Sequence, residues 1–427
     1  MVTVLLVSLA VSMFLTVPIA VSIAISAIAG FLVFYPDTPM FNMLAQATVT
    51  AADSFPLMAV PFFMLVGTLM GKSGIAESLV NVAEALSGRL AGGLAMAGIV
   101  ASMFFAAISG SGPAVVAAIG AILIPSMVKR NYDADYSGAV LASASTIGVV
   151  IPPSIPLIMY GVTAGVSVSS LFIAGIIPGL LMGVALLIVN YFISKRRGYI
   201  GLSTEGGLKY ILLEFWKAKW ALLMPVIVLG GIYAGIFTPT ESAVVGVLYA
   251  LLIGTMVTKN LTWTAIKESL IEAALLSATI MFLIGGALTF GRLLTMERIP
   301  EMLAEQMMSL TSSPFIILML IMVFLLITGM FIDTVSNIIL FTPIFLPVIV
   351  QLGYDPVFFG VLMTVNLAIG FLTPPLGMSL FVAQGVAKVS FESIVKQIWP
   401  LLLVLLVVLV LLAIFPGITT FLPNVFQ

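Results

Sequence analysis

The chain has 427 residues, of which 62% are hydrophobic and 8% are charged. Soluble globular proteins have about 45–50% apolar and about 25% charged residues, so this composition is typical of an integral membrane protein. The chain has neither histidine nor cysteine, which excludes a Ser-His-Asp triad, a thiol nucleophile and a zinc site. A net charge of −1 provides no basic surface for nucleic acid.

Apolar segments recur along the whole chain, and each can cross most of a hydrocarbon core of about 30 Å. They predict an all-α polytopic membrane protein. Charges, prolines and turn-forming clusters mark where one span ends and the next begins. The predicted spans are residues 2–16, 19–34, 54–71, 90–108, 114–128, 136–164, 168–194, 218–237, 241–258, 266–291, 313–331, 337–350, 356–387 and 397–415.

In two pairs of these spans, the two members of the pair are joined by a polar turn that contains glycine and not by the usual charged loop. The pairs, residues 90–128 and 313–350, are predicted to be re-entrant hairpins that return to the side they entered. With both hairpins re-entrant, all 16 Lys and Arg residues except Arg292 and Arg298 fall on the cytoplasmic side, as the positive-inside rule requires. Residues 203–220, rich in Lys and Trp, are predicted to lie as a helix in the cytoplasmic interface.

The chain also matches itself at one constant offset, and the matching residues are prolines, glycines and a Tyr-Asp turn. By the charge distribution the first Tyr-Asp turn is cytoplasmic and the second is external, so the two repeats are inverted. Each repeat comprises a span, a hairpin and a span broken at a double proline, an arrangement that places a site near the bilayer midplane in many secondary transporters. The matching pairs are Pro125 and Pro347, Tyr132-Asp133 and Tyr354-Asp355, Gly138 and Gly360, Gly148 and Gly370, and Pro152-Pro153 and Pro374-Pro375.

The repeats predict a division of the chain into five parts. Residues 54–165 and 266–388 are the first and second inverted repeats, with broken helices at about 136–164 and 356–387. Scaffold helices are predicted before, between and after the repeats, at residues 1–53, 166–265 and 389–427.

The hairpin tips and helix breaks are the candidate site, because helix ends there present free N–H and C=O groups. Free N–H groups suit an anionic substrate, and carbonyl and hydroxyl oxygens suit sodium. The predicted sodium ligands are Ser109, Gly148, Val149, Ile151, Gly329, Asp333, Gly370, Leu372 and Thr373. The predicted substrate contacts are Ser109, Ser111, Ser154, Asp333, Thr334 and Asn337.

Asp333 is an ionisable residue at a hairpin tip in an apolar region, where charge is costly and usually functional. It is interpreted as an ion or substrate ligand, with a helix-capping carboxylate as the alternative. Arg292 and Arg298 lie at a span end, so the predicted midplane site contains no arginine. A carboxylate would then be held by helix N-termini and hydroxyls, with sodium as the compensating charge.

The sequence offers less support for functions other than transport. The sequence GTLMGKS at residues 67–73 lacks one residue of the P-loop spacing and lies at the end of a span, so ATP hydrolysis is not indicated. An intramembrane enzyme would need an Asp pair or a Ser with a His base, which the sequence does not provide, so the chain is predicted not to be an enzyme. A channel and a stand-alone sodium/dicarboxylate symporter remain as alternatives.

Several long motifs carry a resemblance that extends over nearly the whole chain. They resemble the large membrane (M) subunit of tripartite ATP-independent periplasmic (TRAP) transporters, and among these they are most similar to the sialic acid permeases. The motifs are FPLMAVPFFMLVGTLM (55–70), ISGSGP (108–113), GVVIPPSIPLIMYG (148–161), TPTESAVVG (238–246), GMFIDTVSNIILFTPIFLPV (329–348) and GFLTPPLGMSLF (370–381).

The resemblance implies a multi-pass protein of the bacterial inner membrane that imports an organic acid, such as sialic acid, together with Na+. It implies an elevator-type transporter, in which a body holding the hairpins and broken helices slides against a scaffold. It also implies two partners, a small four-helix membrane subunit and a periplasmic substrate-binding protein. The small subunit is expected to be a separate chain, because no further spans precede Met1.

Overall fold

The computed structural model describes residues 2–35, 40–199, 201 and 207–426, which form helices and turns without a strand. Nine helices in these ranges are long and apolar enough to cross a membrane, and six shorter apolar helices accompany them. The prediction of an all-α polytopic protein is therefore confirmed for the part of the chain that is described.

The N-terminal part matches the first three predicted spans and adds two helices that the sequence did not indicate. One of them, the helix Ile75–Ser87, follows Lys72 after a short turn and buries Leu79, Val80 and Ala83 on one face. The helices are α1 (Val2–Phe14), α2 (Ile19–Phe34), α3 (Met40–Ala52), a 3-10 turn (Phe55–Met58), α4 (Ala59–Lys72) and α5 (Ile75–Ser87).

The first repeat folds as a hairpin followed by a broken helix. The chain reverses at Gly110, whose left-handed φ of 60° favours glycine, and the second limb contains one π-helical turn. The elements are α6 (Gly93–Ser109), α7 (Gly112–Val115), the π turn (Val116–Gly120), α8 (Ala121–Lys129), α9 (Ala134–Ser145), α10 (Ile147–Val150) and α11 (Ile155–Ala164).

The segment from residue 168 to residue 310, which includes the first span of the second repeat, contains the longest helices. Val184, Ile188 and Phe192 form an exposed stripe along the helix Val168–Arg197, as expected for a helix face in contact with lipid. The elements are α12 (Val168–Arg197), α13 (Leu208–Lys217), α14 (Lys219–Tyr233), α15 (Pro239–Leu252) with a π turn (Ile253–Val257), α16 (Trp263–Met296) and α17 (Ile299–Leu310).

The predicted interfacial helix is present as α13, which is shorter than residues 203–220. Leu208, Leu212 and Trp216 are exposed, whereas Glu214 is buried and accepts a hydrogen bond of 2.7 Å from Lys217 Nζ. This amphipathic arrangement is typical of a helix at a membrane surface. Residues 203–206 of the prediction lie outside the described residues.

The second repeat has the same order of elements as the first, and two further helices follow it. The predicted hairpin at 313–350 and the predicted break near Pro374-Pro375 coincide with turns between helices. The helices are α18 (Pro314–Phe331), α19 (Thr334–Gln351), α20 (Pro356–Gly370), α21 (Met378–Ala387), α22 (Phe391–Ile414) and α23 (Gly417–Phe426).

The two broken helices pack against each other in opposite directions. A side chain at Gly138, near the start of α9, would lie 3.3 Å from Ala387 Cβ at the end of α21, and the Ser145 hydroxyl at the end of α9 is hydrogen-bonded to the Ser379 hydroxyl at the start of α21 (3.0 Å). On the other side of the breaks, the Tyr160 hydroxyl of α11 donates to the Pro356 carbonyl at the start of α20 (2.7 Å). This antiparallel seam is the arrangement that inverted repeats predict.

The helices pack in two groups. The framework group comprises α1–α4 and α14–α16, and the hairpin group comprises α6–α12 and α18–α22. In the hairpin group, Gly175 of α12 packs on the Val150 carbonyl, and Gly138 of α9 contacts Ile394 of α22. The sequence placed α12 and α22 in the scaffold, whereas their packing joins them to the broken helices. Which helices move together, and hence the predicted domain division, stays a prediction.

Candidate functional site

Both hairpin tips line one cavity of about 680 Å³, here called the tip cavity. The first tip contributes residues 110–113 and the second contributes residues 332–336. Each hairpin turn therefore lies inside the protein, in contact with the other repeat. A re-entrant hairpin places its turn in this way, whereas a pair of full crossings would place it at a membrane surface.

The remaining walls come from the helix breaks and from the framework group. Val149 and Phe371 lie on the break side, and the turn between α1 and α2 and residues 276–283 of α16 lie on the framework side. The tip cavity thus separates the two groups of helices. None of the described residues that line it is Lys or Arg.

The first tip packs tightly on the first break through glycines. A side chain at Gly110 would lie 2.5 Å from the Pro153 carbonyl oxygen, and one at Gly112 would lie 3.0 Å from the Ser145 carbonyl oxygen. Gly148 contacts Val115 and the Ser111 carbonyl. Small residues at these positions allow the backbone of the tip to approach the break, which a larger side chain would prevent.

The first break uses its own polar groups for its internal structure. Ser154 is the N-cap of α11 and accepts a hydrogen bond from Leu157 N (3.3 Å), while its hydroxyl donates to the Val149 carbonyl. The Pro152-Pro153 peptide bond is cis. Ser154 is fully buried and is not part of the cavity wall, so in this conformation it stabilises the break and does not face the cavity.

At the second tip, Asp333 caps α19. Its Oδ1 accepts a hydrogen bond from Ser336 N (2.9 Å), and the Asn337 amide donates to the Ile332 carbonyl (2.8 Å). One carboxylate oxygen of Asp333 therefore caps the helix, as the alternative interpretation of this residue predicted. The side chain is also partly exposed and lines the tip cavity, so its predicted role as a ligand stays open.

The second break is longer and more open than the first. A side chain at Gly370 would lie 2.9 Å from the backbone of Gly329, so the second hairpin packs directly on the end of α20. Thr373 N donates to the Gly370 carbonyl (2.9 Å), and its hydroxyl donates to the Ile369 carbonyl (2.8 Å). The Pro374-Pro375 bond is cis, and Leu376 beyond it is exposed.

The predicted site residues are divided between the cavity wall and the layer behind it. The members of the wall are Ser111, Val149, Asp333 and Thr334. The other predicted residues are not part of the wall, namely Ser109, Gly148, Ile151, Ser154, Gly329, Asn337, Gly370, Leu372 and Thr373.

Several buried oxygens at the tips have no hydrogen-bond partner. They are Ser109 Oγ, Thr334 Oγ1 and Asn337 Oδ1, and an unpaired buried polar group costs roughly 1–3 kcal/mol. Neutral oxygens of this kind are suitable ligands for a hard cation. The described residues contain no cluster of three or more acidic, His or Cys side chains, so a cation at the tips would be held mainly by neutral oxygens. These residues fit sodium, and the individual ligands stay predictions.

Asn366 is a buried polar residue that the sequence analysis missed. Its Nδ2 donates to the Met322 carbonyl of α18 (2.7 Å), and its Oδ1 is buried without a partner. Asn366 thereby joins the second hairpin to α20, one turn before the break. An amide in the otherwise apolar run of residues 357–371 was the signal in the sequence that pointed to it.

These features define the chain as a multi-pass helical membrane protein with two antiparallel, hairpin-containing repeats that meet at one cavity. A solved structure, that of the Alcanivorax borkumensis YdaH transporter, shares this fold. It matches with a TM-score of 0.65 at 17% sequence identity, over 90% of this chain and 88% of that chain.

Sequence comparison identifies the family. Residues 6–418 match the family model of the tripartite ATP-independent periplasmic transporter, DctM component. The chain is 40% identical over 414 residues to the sialic acid TRAP transporter large permease protein SiaM of Vibrio cholerae, covering 97% of this chain and 96% of SiaM. It is 46% identical over 405 residues to the isethionate TRAP transporter permease protein DctMQ of Oleidesulfovibrio alaskensis, covering 95% of this chain and 64% of that protein.

The chain therefore belongs to the DctM family, the large membrane subunits of TRAP transporters, and the resemblance of its motifs is confirmed. Its relatives are named as transporter permeases and not as enzymes, in agreement with the sequence analysis. Family membership and the apolar helices place the protein in the inner membrane as a multi-pass protein.

Proposed function

We propose that this chain is the transport subunit of a sodium-coupled importer of organic acids. The observation that carries the proposal is the meeting of both tips and both breaks at one cavity, with unpaired buried oxygens beside it. Such a site can hold a cation and an anion side by side, because carbonyl and hydroxyl oxygens suit sodium and helix N-termini suit acidic groups.

The substrate class follows from what the named relatives have in common. Their names specify isethionate, sialic acid, C4-dicarboxylates and 2,3-diketo-L-gulonate, and each of these small molecules carries a sulfonate or carboxylate group. We therefore assign to this chain an organic acid of this kind. Sialic acid and isethionate are the first substrates to test.

The two tips differ in their acidic residues, and this difference indicates which tip binds the anion and which binds the cation. The helix that begins at Gly112 has no acidic residue at its start, whereas α19 has Asp333 as its N-cap. A helix N-terminus attracts anions unless a carboxylate already occupies it. We infer that the substrate's acidic group binds at the first tip, near Ser111, and that sodium binds on the side of Asp333 and Thr334.

The position of the cavity supports an elevator movement of the hairpin group against the framework group, because both groups line it. The proposed importer also needs a small four-helix membrane subunit and a periplasmic substrate-binding protein. A stand-alone sodium/dicarboxylate symporter would need neither partner, so the same assay distinguishes the two functions.

The test is uptake into proteoliposomes that contain this chain and its small subunit, with and without an inward sodium gradient. Cognate binding proteins are added with radiolabelled sialic acid, isethionate or a C4-dicarboxylate. We expect uptake of one acid that requires both the gradient and its binding protein. Uptake by this chain alone would favour the symporter, and conductance without sodium dependence would favour a channel and contradict the proposal.

A further inference from the structure

A second cavity of about 540 Å³ lies between the two helix groups, apart from the tip cavity. We propose that it is a second binding position for the acidic group of the transported molecule, with Arg292 as its cation. This inference rests on the proposed function and extends it to a part of the protein that contains no predicted site residue. The cavity lies between Thr50 of α3, Thr163 of α11, Gly291, Arg292 and Thr295 of α16, and Pro343 of α19.

The second cavity and the tip cavity are both lined by residues of α11, α16 and α19. Residues 276–283 of α16 line the tip cavity, and residues 284–296 line the second cavity. The corresponding steps run from Pro156 to Thr163 on α11 and from Ser336 to Pro343 on α19. Each of these steps is seven residues, or about 10 Å at 1.5 Å per helical residue, so the two cavities follow one another along a single path between the groups.

Arg292 is the cationic group of the second cavity. Its side chain is exposed, and none of the four ion pairs among the described residues involves it. A guanidinium without an acidic partner can bind a carboxylate or sulfonate through two parallel hydrogen bonds.

The rest of the wall concentrates the field of Arg292. Ile284, Leu288 and Ile339 are apolar, and the hydroxyls of Thr163 and Thr295 donate to carbonyls of their own helices. Arg292 is therefore the one charged donor among the described residues of this wall. A cleft with low-dielectric walls and charge of one sign raises the local concentration of the opposite ion.

The two cavities thus differ in how they attract an anion. The tip cavity has no Lys or Arg in its described wall, whereas the second cavity has Arg292. By the charge distribution of the loops, Arg292 lies at the external end of α16. An acid arriving from outside would meet a positive charge first and would then pass to a site without one, from which it dissociates readily.

The potential of the second cavity can be measured directly, because the chain contains no cysteine. In Thr163→Cys the single thiol reports on the cavity through its reaction rates with anionic and cationic methanethiosulfonate reagents. We expect Arg292→Gln to lower the ratio of anionic to cationic labelling rates about tenfold. Arg292→Lys should keep most of the ratio, and Arg298→Gln is the matched control outside the cavity.

Protection of the Thr163→Cys thiol from labelling by substrate is the second measurement. Millimolar isethionate or sialic acid should slow labelling of Thr163→Cys, and Arg292→Gln should abolish this protection while Arg298→Gln retains it. An unchanged labelling ratio in Arg292→Gln, or protection that survives in it, would overturn the proposal. Thr50→Cys provides an independent thiol on α3 if Thr163→Cys does not fold.

Uptake measurements distinguish a failure of this inference from a failure of the proposed function. In the uptake assay Arg292→Gln should raise the half-saturating concentration about tenfold, with a maximal rate near that of the unaltered chain. Absence of sodium-coupled uptake in the unaltered chain would contradict the proposed function, while the labelling ratio would still decide whether the cavity attracts anions.

Discussion

The two repeats share their order of elements but differ at their breaks and tips. The first break is short and buried, and it satisfies its polar groups through Ser154. The second break extends over residues 371–377, and Leu376 beyond its double proline is exposed. The first tip has no acidic residue, and the second has Asp333. Inverted repeats thus supply the architecture twice, while local substitutions give each copy its own chemistry.

The opposite directions of the repeats can be tested by the sides to which their loops open. Asn131 and Gln351 are both exposed and follow equivalent hairpins. Single cysteines at these positions should react with a membrane-impermeant maleimide from the cytoplasm for Asn131→Cys and from the periplasm for Gln351→Cys. Labelling of both from one side would refute the inverted arrangement.

Filling the first tip should abolish transport. Ser111→Phe places a ring in the wall of the tip cavity, where the acidic group is proposed to bind, so uptake should fall at least about a hundredfold. Ala117→Phe lies on the same hairpin limb at an exposed position and should transport normally. Equal uptake by the two variants would remove the first tip from the proposed site.

The charge at the second tip can be separated from its capping role. Asn is as good an N-cap as Asp, so Asp333→Asn should keep α19 intact and remove only the negative charge. The sodium concentration for half-maximal uptake should then rise about tenfold, as expected for the loss of a contact worth about 1.4 kcal/mol. Unchanged sodium activation with normal stability would leave Asp333 as a helix cap only.

Equivalent glycines should differ in their tolerance of alanine. A methyl group at Gly370 meets the backbone of Gly329, whereas one at Gly148 meets chiefly a Val115 methyl group at 2.6 Å. A side chain can shift more readily than backbone, so Gly370→Ala should lose about 1–3 kcal/mol of stability and Gly148→Ala less. Thermal unfolding in detergent measures both, and a larger loss for Gly148→Ala would contradict the comparison.

The smallest effect is expected at Thr373, in the second break. Its hydroxyl proton is donated to the Ile369 carbonyl, which leaves oxygen lone pairs for a cation. Thr373→Ala should therefore weaken sodium activation a few-fold without impairing assembly. Thr364→Ala, which removes a similar hydroxyl bond to Gly360, is the matched control, and equal sodium activation in both would exclude Thr373 as a ligand.

Much of this fold can be predicted from the sequence, because prolines, glycines and charges in a membrane protein leave few alternatives for where its helices end. Prolines, glycines and charges predicted the hairpins and breaks to within a few residues, since unpaired backbone is tolerated only where it is buried or lines a cavity. The helices α3, α5 and α17 were missed because they are short or amphipathic. The helix α3 packs on α16 of the framework group, whereas α5 packs on α6 and α17 packs on α19, and none of the three is a long apolar run.

The candidate site was less predictable, because some of its polar groups form hydrogen bonds within the fold and others face the cavity. Nothing in the sequence indicated that Ser154 and Thr373 donate their hydroxyl protons to carbonyls of their own segments. The position of Arg292 beside a cavity depends on the packing of α3, α11, α16 and α19. Local pattern carries no information about such contacts between distant segments.

The antiparallel seam between the broken helices has a consequence for stoichiometry. Bonds from Ser145 to Ser379 and from Tyr160 to Pro356 join the first repeat to the second on both sides of the breaks. In the proposed elevator movement neither tip then crosses the membrane without the other. An anion bound at one tip and a cation bound at the other would cross in the same step, so the fully loaded protein would move them in a fixed ratio.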